Sequence, residues 1–455
     1  MVEIVQQSPN DPTLSPLTGE EVTVVILGGA APVSKVHHIC LPDLPSVYAC
    51  QQQFELIIAD HLTQAWTVTG VLQAARKLLA EHGKFIVTDC FCTNRNGWEK
   101  DQYAYLPHFE AQAERLGLQI VDSRTLSDDT YSITLQLGPK TRWQSRIFLE
   151  SELAQFQELF HNCFNSEISR QLWFWKYAEN RGQQIGVWLG DEMVGHYGGM
   201  TRRILLQGKP VLACQIGDVM VKPSERGVLS RRGPLAQGMA TYAENWCGWG
   251  SQHPIGFGFP NARHMGAAER LGLYAEVGAI SQIDWDTDPR RFDWKYRAVL
   301  AKPDTATINR LWSAMAADFN DGIIGVRDQA HLQHRYYDHP HHDYQIWSVA
   351  HRLTGRPLGI LVLRSHGESI ELIDLLAPRR AITGLVDKAR RIAASQGASR
   401  LFCWISEPYA EDFVATGGKR SDPDVRIPTN IWTDGPAPHT LRNRWWLMGG
   451  DTDFR

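Results

Sequence analysis

Short apolar runs alternate with amphipathic stretches through the first third of the chain. Val24, Val25, Ile26 and Leu27, then Leu56, Ile57 and Ile58, then Phe85, Ile86 and Val87 lie in runs of strand length rich in β-branched residues. Between the second and third runs, Val71, Leu72, Ala75, Leu78 and Leu79 recur at helical spacing. That spacing predicts a helix over 71–79 capped by Gly83. A second helix is expected over 109–116 and a last strand over 131–137. Such alternation predicts a parallel, helix-covered sheet in residues 21–140. Residues 1–20, rich in Pro and Ser, read as a flexible arm.

Between Pro139 and Trp143 the pattern changes and an internal repeat begins. Trp175-Lys176-Tyr177 precedes Ile185-Gly186-Val187-Trp188 and then Met193-Val194-Gly195. About 160 residues later, Arg335-Tyr336-Tyr337 precedes Ile346-Trp347-Ser348-Val349 and Pro357-Leu358-Gly359. The shared order predicts two copies of one α/β unit, over 141–300 and 301–455. Each copy reads as a first helix, an antiparallel hairpin turning at Gly190-Asp191 or Thr354-Gly355, a central strand, a helix and a crossing strand. In the second copy the last three fall at 370–376, 381–394 and 400–405.

The densest chemistry follows the central strand of the first copy. A strand ending Gly217-Asp218-Val219-Met220-Val221-Lys222-Pro223 enters the turn Ser224-Glu225-Arg226-Gly227-Val228-Leu229-Ser230-Arg231-Arg232-Gly233, and Pro234 opens a helix carrying Leu235, Met239 and Tyr242. Proline suits the first helical position because its missing N–H would be unpaired there anyway. The glycines let successive backbone N–H groups face a ligand beside the positive end of the helix dipole. Three arginines add charge-assisted hydrogen bonds. Together these features predict a site for a pyrophosphate-bearing cofactor.

This strand, turn and helix resemble the acyl-CoA motif of the GNAT (Gcn5-related N-acetyltransferase) superfamily. A second motif of that superfamily follows in Phe259-Pro260-Asn261 and in Arg263-His264-Met265-Gly266-Ala267-Ala268-Glu269-Arg270-Leu271-Gly272-Leu273-Tyr274. The turn is longer than the superfamily's hexapeptide, which leaves Arg226-Gly227 and Arg232-Gly233 as two candidate cradles. The resemblance implies two GNAT-fold α/β units with mixed central sheets, and acetyl-CoA or another acyl-CoA as cofactor. It implies a thioester held against the strand at Met220 and Val221, and a pyrophosphate held by Arg226, Gly227, Arg231, Arg232, Gly233, Pro234 and Leu235. Asn261 would flank the pantetheine arm.

Asp218 is the first candidate for the base, acting directly or through water, with a structural carboxylate as the alternative reading. His196, which follows the hairpin turn, is a second candidate for proton transfer. The superfamily's usual acid is a tyrosine three residues before the helix-ending glycine. Glu269 stands there instead, so Tyr274 or water takes that role. After the central strand of the second copy stands Ala377-Pro378-Arg379-Arg380, so that copy is expected to hold no acyl-CoA. The closing Trp445-Trp446-Leu447-Met448-Gly449-Gly450-Asp451-Thr452-Asp453 resembles the tail of tandem GNAT proteins.

Residues 21–140 resemble the later half of a class I methyltransferase, through Phe54-Glu55-Leu56-Ile57-Ile58-Ala59-Asp60-His61 and the helix, glycine and strand over 78–87. Only Gly28-Gly29 follows the first strand, and Asp60 comes too soon after it for the usual S-adenosylmethionine site. An N-terminal Rossmann-like, truncated methyltransferase-like domain that serves for packing or partner contact is therefore expected.

Composition narrows the partners. A chain of 455 residues with net charge −4 and 43% hydrophobic residues fits a globular protein of roughly two to four domains. It offers no basic surface for nucleic acid and no apolar run long enough to span a bilayer, so a cytoplasmic protein is expected. Eight cysteines without a CxxC spacing read as reduced, packed thiols. His331, His334, His339, His341 and His342, with Asp338 and Asp343, lie in the loop entering the second copy. They read as lining a domain interface or acceptor pocket, and no metal site is expected. The chain is thus expected to be an acyl-CoA-dependent N-acyltransferase acting on a small amino compound, such as an amino sugar or biosynthetic intermediate. Two alternatives stay open: acyl transfer or decarboxylation on a group borne by an acyl carrier protein, and a non-catalytic binding scaffold.

Overall fold

The computed structural model describes residues 24–27, 38–39, 53–60, 67–92, 104–127, 130–139, 141–227, 230–290 and 293–455. The expected arm and Gly28-Gly29 lie outside them. Two compact units interleave along the sequence. One comprises the chain up to Asn165 with Gln184–Tyr197 and Met220–Trp246, the other Ser166–Gln183, Gly198–Val219 and Cys247–Arg455.

In the first unit a sheet of seven strands contains β1 (Val24–Leu27), β2 (His38–Ile39), β3 (Phe54–Asp60), β4 (Leu79–Cys92), β5 (Ala104–Tyr105), β6 (Leu118–Thr125) and β7 (Thr130–Leu137). The order is β2-β1-β3-β4-β7-β6, with β5 against β4. The expected parallel pairing holds from β2 to β4. It fails at β7, which runs antiparallel to both β4 and β6. Helix α1 (Val68–Leu78) begins where the Thr67 hydroxyl accepts the Gly70 N–H at 3.0 Å. It buries Val71, Leu72, Ala75 and Leu78 with Phe54, Phe85 and Leu135.

Gly83 does not cap this helix. Leu79 is already extended, and Gly83 lies inside β4. A Cβ there would stand 2.7 Å from the Phe54 carbonyl oxygen, so the glycine serves close strand packing instead.

Helix α2 (Leu106–Arg115) ends in an arginine that forms a buried ion pair with Glu244 and donates to Gln237 and Thr241 at 3.1 and 2.8 Å. The first unit further holds β8 (Gln144–Ile147) and helix α3 (Leu153–Phe164). It also takes part of the hairpin strands β9 (Gly182–Leu189) and β10 (Glu192–Leu206), the end of β11 (Lys209–Val221), and α5 (Pro234–Trp246).

The second unit carries α4 (Arg170–Tyr177), most of β11, β12 (Ile255–Phe257), α6 (Ala262–Arg270) and β13 (Tyr274–Asp286). It continues with β14 (Tyr296–Leu300), α7 (Thr305–Ala317), β15 (Ile323–Gly325), β16 (Gln345–His351), β17 (Pro357–His366), β18 (Ser369–Leu376), α8 (Ile382–Ser395), β19 (Arg400–Ser406), β20 (Lys419–Ser421), β21 (Arg426–Asn430) and β22 (Trp445–Trp446). Eight strands form one sheet, in the order β14-β16-β17-β18-β19-β13-β20 with β21 also against β13. Leu361, Leu363, Leu372, Leu385, Cys403 and Ile405 are fully buried in its core.

Strand β13, which falls within the expected first copy, pairs antiparallel with β19, Ile280 facing Ser406 and Asp286 facing Arg400. The terminal β22 in turn runs parallel to β15. Among the described residues no helix is long and apolar enough to cross a membrane, which says nothing of crossing by strands.

Candidate active site

The expected cofactor cradle lies wholly in the first unit. Strand β11 ends at Val221, and Lys222 N–H still donates to the Val194 carbonyl at 2.8 Å. A single 3-10 turn over Pro223–Glu225 follows. Glu225 accepts from Trp143 Nε1 at 2.9 Å and pairs with Arg142 at 3.0 Å, which occupies the turn's one carboxylate. Arg226 Nε donates to the Val221 carbonyl at 2.8 Å. Gly227 has φ 93° with open space where a Cβ would be, so only glycine fits without strain.

The helix itself starts at Pro234, as the sequence predicts. Ahead of it, Gly233 N–H donates to the Ser230 carbonyl at 2.8 Å and Arg232 N–H to Ser230 Oγ at 3.2 Å. The helix dipole therefore points at Arg232-Gly233, six residues past Arg226-Gly227. Arg231 and Arg232 are exposed there, the latter bonded to Glu114 at 2.7 Å. Met220 is buried and Leu235 half-buried. A cavity of about 640 Å³ in the same unit is lined by Gln73, Arg76, Arg115, Trp143, Arg146 and Trp188, and by none of residues 220–235.

Asp218 belongs to the second unit. Its φ of 49° puts a left-handed residue within β11, a conformation that aspartate tolerates better than most side chains. Its carboxylate accepts from Lys176 Nζ at 2.7 Å and from the Tyr177 hydroxyl at 2.5 Å. Lys176 also pairs with Asp453 at 2.5 Å, and Gln215 Nε2 donates to Asp453 at 3.2 Å. Neighbouring Gly217 leaves room for this: a Cβ there would lie 3.0 Å from Asp453 Oδ2. Burial alone would lower the Lys176 pKa, but Asp218 and Asp453 outweigh it and hold the ammonium above its ordinary range. Burial, then Asp218, raises the Tyr177 hydroxyl.

The same arrangement recurs in the second half of the chain. Tyr336 donates to Asp374 Oδ2 at 2.7 Å, and Arg327 bridges Asp374 at 3.0 Å and Asp451 at 2.7 Å. Asp374 sits in β18 as Asp218 sits in β11. The two aspartates of the closing Gly-Asp-Thr-Asp stretch thus complete one network each. Tyr177 and Tyr336 are the corresponding residues, so the repeat is shifted by one position from the alignment of Trp175-Lys176-Tyr177 with Arg335-Tyr336-Tyr337. Lys176, Tyr177 and Asp453 went unrecognised as site residues in the sequence, although the repeated aromatic triplet was their signal.

The remaining candidates are placed as follows. His196, in the first unit, is buried with Nε2 3.1 Å from Gln184 Oε1, and its ring meets Phe156 edge-on at 4.7 Å. Asn261 and Tyr274 belong to the second unit. Asn261 caps α6, its Oδ1 accepting the His264 N–H at 2.8 Å. Tyr274 is buried at the start of β13. His331, His334, His339 and His342 pack on aromatic rings, whereas His341 Nε2 lies 2.7 Å from Ser169 Oγ. His334 stacks on Trp175 at 4.9 Å, and His339 on His342 at 4.7 Å. Burial first, then nearby arginines, lower His334 to about 4, His339 to about 3 and His342 to about 4.

Residues 145–274 match the family model of the acetyltransferase (GNAT) domain. The chain carries a GNAT acetyltransferase domain. That domain makes the protein an acyltransferase, with an acyl-CoA as its cofactor. The match to the GNAT domain takes in β8 through β12 and α6, including the whole turn from β11 to α5. No curated protein matches the chain.

Solved structures similar to it include a probable N-acyltransferase from Enterococcus faecalis V583, at 10% identity over 64% of this chain and 73% of that one with TM-score 0.49. A GCN5-related N-acetyltransferase from Kribbella flavida has 15% identity, covers 64% and 71%, and gives TM-score 0.45. The N-myristoyltransferase of Saccharomyces cerevisiae with bound myristoyl-CoA has 9% identity, covers 72% and 88%, and gives TM-score 0.43. None is close enough to assign a residue.

Proposed function

We propose that the protein transfers an acyl group from one acyl-CoA site to the amine of a small amino compound, such as an amino sugar or a biosynthetic intermediate. The observation that carries this reading is the coincidence of the GNAT match with a glycine- and arginine-bearing turn at the start of α5. The cofactor supplies the activated thioester. The chain's part is to bind and orient: first-turn N–H groups of α5 with Arg231 and Arg232 suit a pyrophosphate, and Met220 and Val221 offer strand edge to the acyl carbonyl.

Of the two roles expected of Asp218, its contacts favour the structural one. A carboxylate held by an ammonium and a phenol is a weak base. Its counterpart Asp374 makes the same tyrosine bond in a half whose turn has no glycine cradle. Asp218 then acts as a positioning residue that holds the left-handed residue of β11 two positions before Met220. The repeated tyrosine–aspartate pair also supports two related GNAT-like halves after residue 140. The first of them binds acyl-CoA. The N-terminal sheet is proposed as a packing layer without S-adenosylmethionine chemistry, consistent with the Arg115–Glu244 tie to α5.

The test is an acyl-transfer screen. Purified protein with acetyl-CoA and longer acyl-CoAs is offered a panel of amino sugars and amines, with thiol release and product mass as readouts. An N-acylated product with matching thiol release is expected. Turnover only with a phosphopantetheinylated carrier protein, or none while acyl-CoA binds, would overturn the proposed donor or acceptor class.

A further inference from the structure

We propose that Cys214, Cys247 and His253 form a binding site for a single thiophilic metal ion, with zinc as the matching chemistry, in the second unit. All three side chains are buried, Cys214 and His253 completely. Their ligand atoms all lie within 4.8 Å of one another. Two thiolates and an imidazole around zinc would sit roughly 3.8 Å apart, given bonds of about 2.3 Å to sulfur. The donors need draw in by no more than about 1 Å.

The donors are presented by rigid backbone. Cys214 lies in β11, opposite Gly256 of β12 in the parallel ladder. Cys247 and His253 are joined by a bridge, and Gly248 N–H donates to the His253 carbonyl at 2.9 Å. This closes residues 247–253 into a tight knuckle, which 433–434 clamps from outside. Thr433 Oγ1 donates to the Cys247 carbonyl at 2.7 Å, and Trp249 N–H to the Asp434 carbonyl at 2.7 Å. Gly248, with φ 116°, is required there, since a Cβ would stand 2.6 Å from the Asp434 carbonyl oxygen. Thr201 Oγ1 lies 3.0 Å from His253 Nε2 and orients the ring, the part an outer hydroxyl plays around metal-bound imidazoles.

The donor set selects the ion. Thiolate and imidazole favour zinc or another soft ion over magnesium and calcium, which take oxygen ligands. Binding breaks two S–H bonds, forms two metal–sulfur bonds and one metal–nitrogen bond, and releases two protons to solvent with no change of oxidation state. Two thiolates neutralise a divalent ion, so no net charge is left in the apolar surroundings. A fourth position stays for water or another small ligand. The ion would staple the knuckle to β11.

The protein, carrying a tag without histidine, is grown with zinc, desalted and analysed for metal by plasma mass spectrometry. About one zinc per chain is expected, released by a mercurial thiol reagent and lost in Cys214→Ser. A cysteine variant that failed to fold would also lose metal, so a second measurement uses the unaltered chain. Protein from cobalt-supplemented minimal medium is expected to show thiolate-to-cobalt absorption in the near ultraviolet. A metal-free protein without that absorption overturns the proposal. So does a disulfide between Cys214 and Cys247 in peptide mapping of the freshly isolated protein.

Discussion

Lys176 is a charge buried among groups that nearly all serve to hold it. Replacing it by methionine leaves Asp218 and Asp453 facing each other without their cation, and should cost about 3–5 kcal/mol in urea unfolding. Its pKa is raised in the folded chain, so the pair stabilises fully below the ordinary lysine pKa and weakens only as pH climbs beyond it. Neutral pH therefore leaves it intact. For Asp218→Asn the expected outcome is a lower melting temperature and weaker acyl-CoA binding, with kcat of the saturated enzyme changed less than tenfold. A stable variant with unchanged affinity and kcat down by roughly 10²- to 10⁴-fold would make Asp218 the base instead.

The histidines give the opposite pH dependence. His334, His339 and His342 are held neutral, and in the unfolded chain they would take up protons near pH 6.5. The stability due to their neutral packing is present above that value and is lost as pH falls from it towards 4 to 3. Melting temperature should decline between pH 7 and pH 4.5, and His339→Gln should flatten the decline. An equal decline in that variant would remove His339 as a cause. Residue identities alone showed these histidines as a cluster, but not that aromatic stacking and arginines keep them uncharged.

At the scale of elements, what the sequence showed best was whatever a local signal decides. Pro234 opens α5 where the turn chemistry puts it, and the strands at 55–60 and 131–137 are found within a residue of expectation. Gly83 was misread because a glycine after a helix has two uses, a left-handed cap or a close strand crossing, and only the neighbouring strand decides between them. Gly83→Val should destabilise the first unit by about 1–3 kcal/mol, read by urea unfolding, since its Cβ meets backbone rather than a movable side chain. A neutral effect would mean that β3 yields there. Partnership between strands was equally hidden. Nothing in the residues 274–286 tells that they pair with β19 rather than with strands of their own half, because both choices satisfy the same alternation.

For the molecule as a whole, the proposal is one donor site per chain. The second half has the strand, the helix and the tyrosine–aspartate pair, but its turn is filled from within. Arg379 N–H donates to Asp318 Oδ2 at 2.7 Å, and Arg379 also pairs with Asp412 at 2.8 Å. That turn, Ala377-Pro378-Arg379-Arg380, also has no glycine, and the proposal is that it holds no acyl-CoA. The three proposed metal ligands were illegible for a different cause: Cys214 stands far along the chain from Cys247 and His253, and only the pairing of β11 with β12 unites them.

The most direct measurement is calorimetric titration of the full chain with acetyl-CoA, beside Gly233→Asp checked for an unchanged melting temperature. One site per chain is expected, abolished in the variant because a carboxylate then faces the pyrophosphate at the start of α5. Two equivalent sites, no binding by the unaltered protein, or full affinity in a folded Gly233→Asp would contradict the account.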